Sequence, residues 1–205
     1  MTTYNGYDVL DATTPNRANT GKVAFSRVVG ILDSSVGHRT WDDHDNDSIP
    51  DFTFSWMCFT RADILALKSF LDSRHGRVVP VWVPTYSRDL ILTGDIVIHS
   101  TSFTISDTGY SKHQFPHTAR RNLAFIAADG SMVCKKALSA VNNGNGTETL
   151  TVDTEFNPAI TASSTLVSFL VLSRLTDDMA VIVWHNKQIA ECNIHFVELP
   201  KETPA

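Results

Sequence analysis

The sequence predicts a mostly β protein, built as two β-sandwich or barrel-like domains with one helix at about residues 61–74 in the first. Segments rich in β-branched and aromatic residues, alternating or continuously apolar, recur from residue 22 onward, as strands require. One segment alone stands out by helical spacing of its apolar residues. A polar stretch at 106–121 separates an earlier from a later series of strand segments, which suggests two domains.

Composition places the chain among ordinary globular proteins. It has 205 residues, of which 42% are hydrophobic and 19% charged, enough for one large or two small β domains. The net charge of -5 and the scattered basic residues predict no nucleic-acid partner. No segment has the pattern of a signal peptide or a membrane span, and three widely spaced cysteines suit buried thiols of a protein made in a cytoplasm.

The first half contains an N-terminal arm and a β domain. Residues 1–20 are polar, and we expect them, like residues 106–121, to become ordered on neighbouring subunits. The first domain is expected at 21–110, with strand segments at 22–32, 51–59, 78–84, 90–100 and 102–106. The second domain is expected at 111–205, with a hairpin turn at "NNGNG", residues 142–146.

The predicted helix has clear start and stop signals. Thr60 can cap its N-terminus, with Asp63 in the capping-box position. Ile64, Leu67, Phe70 and Leu71 follow at helical spacing, and Gly76 can adopt the left-handed conformation that ends a helix.

Directly after the helix, residues 78–84 form an expected edge strand, because Pro80 and Pro84 cannot donate to a strand ladder. Trp82 and Tyr86 are large rings that either cap the core beside the helix or anchor an interface. With Arg88 and Asp89 they make a candidate subunit interface.

The acidic stretch "DHDNDSIPD" is a candidate calcium loop. Asp43, Asp45, Asp47 and Asp51 alternate as carboxylates do when they converge on a hard cation, and the spacing resembles the calcium loops of thrombospondin type-3 repeats. Ser48 stands where such loops have glycine, and the motif occurs once. A solvated acidic loop joining two strands is the alternative.

Nothing in the sequence points to an enzyme. Eight histidines include no H-E-x-x-H pair, and the chain has neither a G-x-S-x-G elbow nor a phosphate-binding glycine loop. We therefore expect no catalytic residues and no cofactor other than the calcium considered above, although carboxylates converging from distant strands would leave no local pattern.

The order of the motifs resembles the distal-tail and tail-tip proteins of long-tailed bacteriophages. The residues that carry the resemblance are "VGHRT", the strand with "TFSW", the capped helix "TRADILALKSFLDSRHGR", then "PVWVPTYSRDL", and finally "LVLSRLTDDMAVIVWHNKQIAECNIHFVELP". Together they cover roughly residues 22–199 in pattern.

The resemblance implies a structural virion protein, made in the host cytoplasm. It would form a ring of three or six copies in the phage tail and join the tail tube to the tip or baseplate. Its partners would be tail-tube and tail-tip proteins. A β-sandwich module that binds glycans or calcium is the alternative from a different class.

Overall fold

The computed structural model describes residues 2–11, 15, 22–26, 29–32, 40–43 and 49–199, the side chains of 29–32 and 40–43 excepted. The protein is mostly β, as predicted. The strands of the first half are β1 (Thr3–Tyr4), β2 (Tyr7–Asp8), β3 (Lys22–Ser26), β4 (Val29–Leu32), β5 (Thr40–Asp43), β6 (Ile49–Cys58), β7 (Val81–Pro84) and β8 (Ser102–Ser106). Those of the second half are β9 (Asn122–Ile126), β10 (Met132–Asn142), β11 (Thr147–Val152), β12 (Leu166–Leu175), β13 (Val181–Trp184) and β14 (Ala190–Glu198). The helices are α1 (Arg61–Ser73) and the short α2 (Tyr110–His113), and a 3-10 turn spans Thr118–Arg121.

Most strands belong to one antiparallel sheet of ten strands. Its order is β3-β6-β14-β12-β9-β10-β11-β8, with β13 paired to β14 and β7 paired to β12. The pairs β6–β14, β7–β12 and β8–β11 each join strands from the two sides of residue 110. The predicted division into domains at 21–110 and 111–205 is therefore not confirmed, because the two halves of the chain share one sheet.

Helix α1 forms as its sequence predicts. The Thr60 hydroxyl accepts a hydrogen bond from the Asp63 amide at 3.2 Å, and the Asp63 carboxylate accepts one from the Thr60 amide at 2.9 Å. Ile64, Leu67 and Phe70 are buried, which places the predicted apolar face on the core.

A close approach fixes the turn after α1. Gly76 has φ +65°, and a Cβ atom there would lie 2.5 Å from the Asp178 Oδ1 atom. The Asp178 carboxylate accepts hydrogen bonds from the Arg77 backbone amide and guanidinium, which lower the pKa of Asp178.

Three packed groups of side chains make up the core. In the first, α1 packs on Phe52, Phe54 and Trp56 of β6 and on Phe196 of β14. The second is built around the rings of Phe103, Phe125 and Phe156, whose centroids lie 5.0–5.9 Å apart. The third surrounds Trp82. Strand β12 contributes residues to all three and so holds them together.

Candidate subunit interface

Trp82 lies inside the subunit. Its side chain is 3% exposed, and its indole Nε1 donates a hydrogen bond of 2.7 Å to the Tyr4 carbonyl oxygen. The Tyr4 ring meets it edge-on at 5.5 Å between centroids. On the strand's other side, Val9 forms a bridge to Trp82, and the Leu10 amide donates to the Trp82 carbonyl at 2.9 Å. Of the two roles predicted for Trp82, the structure agrees with the core, and its placement on an interface is corrected.

Its three companions do not form one surface either. The Tyr86 hydroxyl donates to the Leu10 carbonyl at 2.9 Å, and the ring packs against the core. The Asp89 carboxylate accepts hydrogen bonds of 2.7 Å from the Ser87 hydroxyl and from the Phe169 amide. Only Arg88 is exposed to solvent. The predicted cluster is thus mainly a set of internal contacts, and Arg88 is its one surface residue.

The first residues of the chain provide much of this cover. Val9 and Leu10 are buried, and Asp8 forms an ion pair with the Arg74 guanidinium, which is 3% exposed and also donates to the Pro80 carbonyl at 3.2 Å. The expectation that residues 1–20 become ordered only on a neighbouring subunit is therefore wrong for 2–11, which pack on their own chain.

The same correction applies to residues 106–121. The buried Glu148 carboxylate accepts hydrogen bonds from the backbone amides of Tyr110 and Ser111 at 2.9 and 2.6 Å. Arg120 makes two hydrogen bonds of 2.7 and 2.8 Å to the buried Glu198 carboxylate. This polar stretch is ordered by carboxylates from distant strands, which local composition does not reveal.

The candidate calcium loop lies mainly outside the described residues. Asp45 and Asp47 are not among them, and for Asp43 the backbone alone is described, in β5. Asp51 lies in β6, where its Oδ1 atom is buried without a hydrogen-bond partner. Within the described part of the chain, no group of three His, Cys, Asp or Glu side chains could hold a metal ion. The calcium hypothesis remains a prediction about this loop.

An open edge of the sheet occurs at β3, where all five residues are exposed. Val23 and Phe25 pair with Phe52 and Pro50, so they lie on the face that carries the core side chain of Phe52. Phe52 is 3% exposed, whereas Phe25 is 69% exposed. The apolar face of the sheet therefore continues beyond the core onto β3, where it meets solvent.

A second open edge occurs at β13. Its Ile182 packs against the first core group, while Trp184, two residues later on the same face, is 47% exposed. The Arg61 guanidinium lies 5.9 Å from the Trp184 ring centroid. Two further exposed apolar residues lie near Arg61 in sequence: Phe59, between β6 and α1, and Leu65, in α1. Here too the apolar core face extends to the surface.

The two open edges lie on opposite sides of the same part of the sheet. The strands run in the order β3, β6, β14, β13, and each neighbouring pair is antiparallel. Among the described residues, β3 pairs with β6 alone and β13 with β14 alone. Because directions alternate across these strands, β3 and β13 run in opposite directions.

A group resembling a catalytic triad in composition lies on the sheet's other face. The Glu191 carboxylate accepts a hydrogen bond from the Ser55 hydroxyl at 2.8 Å and contacts the His185 Nε2 atom at 3.3 Å. Nucleophile activation requires the histidine between serine and acid, whereas here the acid lies between the other two. This arrangement does not generate an activated serine.

The cysteine thiols are also unsuited to attack. Burial raises the pKa of Cys134 to about 12 and that of Cys192 to about 11, and it raises the pKa of Cys58 as well. A cysteine nucleophile needs a lowered pKa, so the raised values disfavour attack by any of these three thiols.

No family model matches this chain, and no match was found among curated proteins. In the described ranges, no helix has the length and apolar character needed to cross a bilayer. No local signal in the sequence predicts the open edge at β3, since the segment "KVAFS" alternates as a half-buried strand does. No local sequence pattern indicates that Trp184 is exposed either.

Proposed function

We propose that this protein is a non-enzymatic structural subunit that assembles into a closed ring in the tail of a long-tailed bacteriophage. The ring would lie at the distal tail or tail tip and join the tail tube to the tip or baseplate. The assignment to a tail rests on the sequence resemblance described above. The ring rests on the geometry of the two open sheet edges.

The observation that carries the proposal is the pair of different apolar edges on one sheet. A cyclic ring is built from heterologous contacts, in which one patch of each subunit meets a different patch of the next. Val23 and Phe25 at β3 provide one patch, and Trp184 at β13 provides the other. An exposed strand edge that also carries large apolar side chains is a favourable place for another chain to bind.

Strand direction supports the same contact. Since β3 and β13 run in opposite directions, joining β3 of one subunit to β13 of the next by rotation about an axis along the strands gives an antiparallel pair. Antiparallel pairing is slightly more stable per residue than parallel pairing. Each added subunit would continue both the hydrogen-bond ladder and the apolar face.

Light scattering over a concentration series tests the ring. We expect a mass of three or six subunits, or a rise toward it with concentration, and a particle with a central channel in negative-stain electron microscopy. Phe25→Lys and Trp184→Glu should each reduce assembly. Leu138→Lys should not, because Leu138, whose exposure lies between those of Phe25 and Trp184, is on β10, away from both edges.

Mixing the two edge variants makes the test sharper. The Phe25→Lys subunit keeps its β13 edge and the Trp184→Glu subunit keeps its β3 edge, so a mixture should form heterodimers and nothing larger. If Phe25→Lys alone formed stable dimers, the contact would be isologous and the ring model wrong. A strict monomer at every concentration would also contradict self-assembly of the free protein.

A further inference from the structure

A polar cleft of about 460 Å³ lies where β9 ends and β12 begins. It is bounded by the turn at 127–130 on one side and by residues 163–166 on the other, and Arg88 reaches it from the segment after β7. Its volume is in the range of small-molecule sites, about 300–1,000 Å³. It is separate from both open sheet edges.

Arg88 places an unpaired cation at this cleft. The backbone around it is fixed, because the amides of Asp89 and Leu90 donate to the Val167 carbonyl at 3.1 and 3.3 Å. The Ser168 hydroxyl donates a hydrogen bond of 2.7 Å to the Ser87 carbonyl oxygen. Within the described residues, the Arg88 guanidinium itself makes no hydrogen bond or ion pair. A guanidinium on a fixed backbone is well prepared to receive a carboxylate with two parallel hydrogen bonds.

Asp129 provides a negative group in the same cleft. Its Oδ1 atom accepts hydrogen bonds from the Ser131 hydroxyl and amide at 2.7 and 2.9 Å, which lower the pKa of Asp129 and keep it ionised. Although both residues line the cleft, Asp129 and Arg88 form no ion pair with each other. A ligand between them would therefore meet a cation on one side and a hydrogen-bond acceptor on the other.

Hydroxyl groups complete the lining. Ser163, Ser164 and Thr165 follow one another along the cleft wall. Thr165 is 7% exposed, and its hydroxyl has no hydrogen-bond partner among the described residues. This hydroxyl is not among the buried side-chain atoms that lack a partner, so it is open to the cleft and can exchange hydrogen bonds with a ligand.

We propose that this cleft binds a small hydroxylated carboxylate. The carboxylate lies against Arg88, and the ligand's hydroxyl groups donate to Asp129 and exchange hydrogen bonds with Thr165 and its serine neighbours. The Asp129 charge disfavours a phosphate dianion, and the lining contains no aromatic ring on which a neutral sugar could stack. The chemistry fits both acidic sugars and open-chain hydroxy acids.

Titration calorimetry with five probes tests the proposal: D-glucuronate, D-gluconate, D-glucose, acetate and inorganic phosphate. We expect glucuronate or gluconate to bind at least about tenfold more tightly than the other three. Glucose lacks the carboxylate and acetate lacks the hydroxyls, so each isolates one half of the recognition. A preference for glucuronate identifies an acidic sugar, and a preference for gluconate identifies an open-chain acid.

Variants locate the site. Arg88→Gln should weaken binding of the preferred probe by about tenfold or more, with Arg88→Lys intermediate, because lysine keeps the charge and loses the paired geometry. Asp129→Asn should weaken it less, and Lys112→Gln on the exposed side of α2 should leave it unchanged. Equal binding of glucose, tighter binding of phosphate, an unchanged affinity in Arg88→Gln or the absence of binding would each overturn the proposal. None of these outcomes depends on whether the protein forms rings.

Discussion

Strands β7 and β3 each pair with one strand of the ten-stranded sheet, but their exposure to solvent is opposite. All four residues of β7 are buried, whereas all five residues of β3 are exposed. Strand β7 has β12 on one side and the Val9–Leu10 segment on the other. Strand β3 has β6 on one side and carries Phe25 into solvent.

The difference shows that a strand's own residues do not decide whether its edge is open. Proline at both ends blunts β7, but its aromatic side chain is enclosed because a segment more than 70 residues earlier in sequence covers it. Strand β3 has no proline and a regular alternation, and it lacks such a cover in the described part of the chain. Among the described residues, β3 is therefore open because no distant segment covers it as Val9 and Leu10 cover β7.

The largest expected effect on stability is the difference between substituting Trp82 and substituting Trp184. Trp82→Ala should lower the free energy of unfolding by about 3–5 kcal/mol, because it empties a buried site that also holds the Tyr4 hydrogen bond. Trp184→Ala removes a half-exposed ring and should cost at most about 1 kcal/mol. Urea denaturation measures both. Equal losses would show that the two edges are covered alike.

An intermediate effect is expected from loosening the cover of β7. Asp8→Asn removes the charged partner of the buried Arg74 and should cost about 1–2 kcal/mol, since Asp8 is partly exposed. Cys134 packs against the Trp82 group beneath this cover. Its labelling by a thiol reagent, followed by mass spectrometry, should become faster in Asp8→Asn, while labelling of Cys58 and Cys192 stays slow. Unchanged labelling of Cys134 would mean that residues 2–11 remain bound without the ion pair.

The smallest effect on folding is expected at the open edge. Phe25→Ala removes a ring that is 69% exposed and should change the free energy of unfolding by no more than about 0.5 kcal/mol. Thermal and urea unfolding at low protein concentration, where assembly does not contribute, provide the measurement. A loss comparable to that of Trp82→Ala would show that Phe25 is a core residue.

Local signals predicted the local structures. The Thr60–Asp63 capping box and the spacing of Ile64, Leu67 and Phe70 determine α1 through contacts within a few residues. The glycine-rich turn at 142–146 likewise predicts the β10–β11 hairpin. Alternation located most strands, although it could not assign them neighbours.

The sequence does not predict which distant segments of the chain contact one another. The polar stretch at 106–121 predicts a domain boundary, but Glu148 and Glu198 bind that stretch from strands far along the chain. Similarly, the interface was assigned to Trp82 because the cover provided by Val9 and Leu10 depends on a contact that no local pattern encodes. In the cleft, the sequence singles out Arg88 only as a member of the predicted interface, and Asp129 and Thr165 stand in no recognisable pattern.

The position of β14 has a consequence for how the chain acquires its structure during synthesis. Its residues 190–198 lie between β6 and the strands β12 and β13, so Asp51 pairs directly opposite Val197. Until the ribosome has released residue 198, the aromatic row of β6 has no permanent neighbour on that side. Such pairings, closed late and across long loops, slow folding and leave apolar strands exposed to other nascent chains. We therefore expect the yield of native protein to depend on chaperones that bind apolar strands and on translation temperature, more than the stability of the finished molecule would suggest.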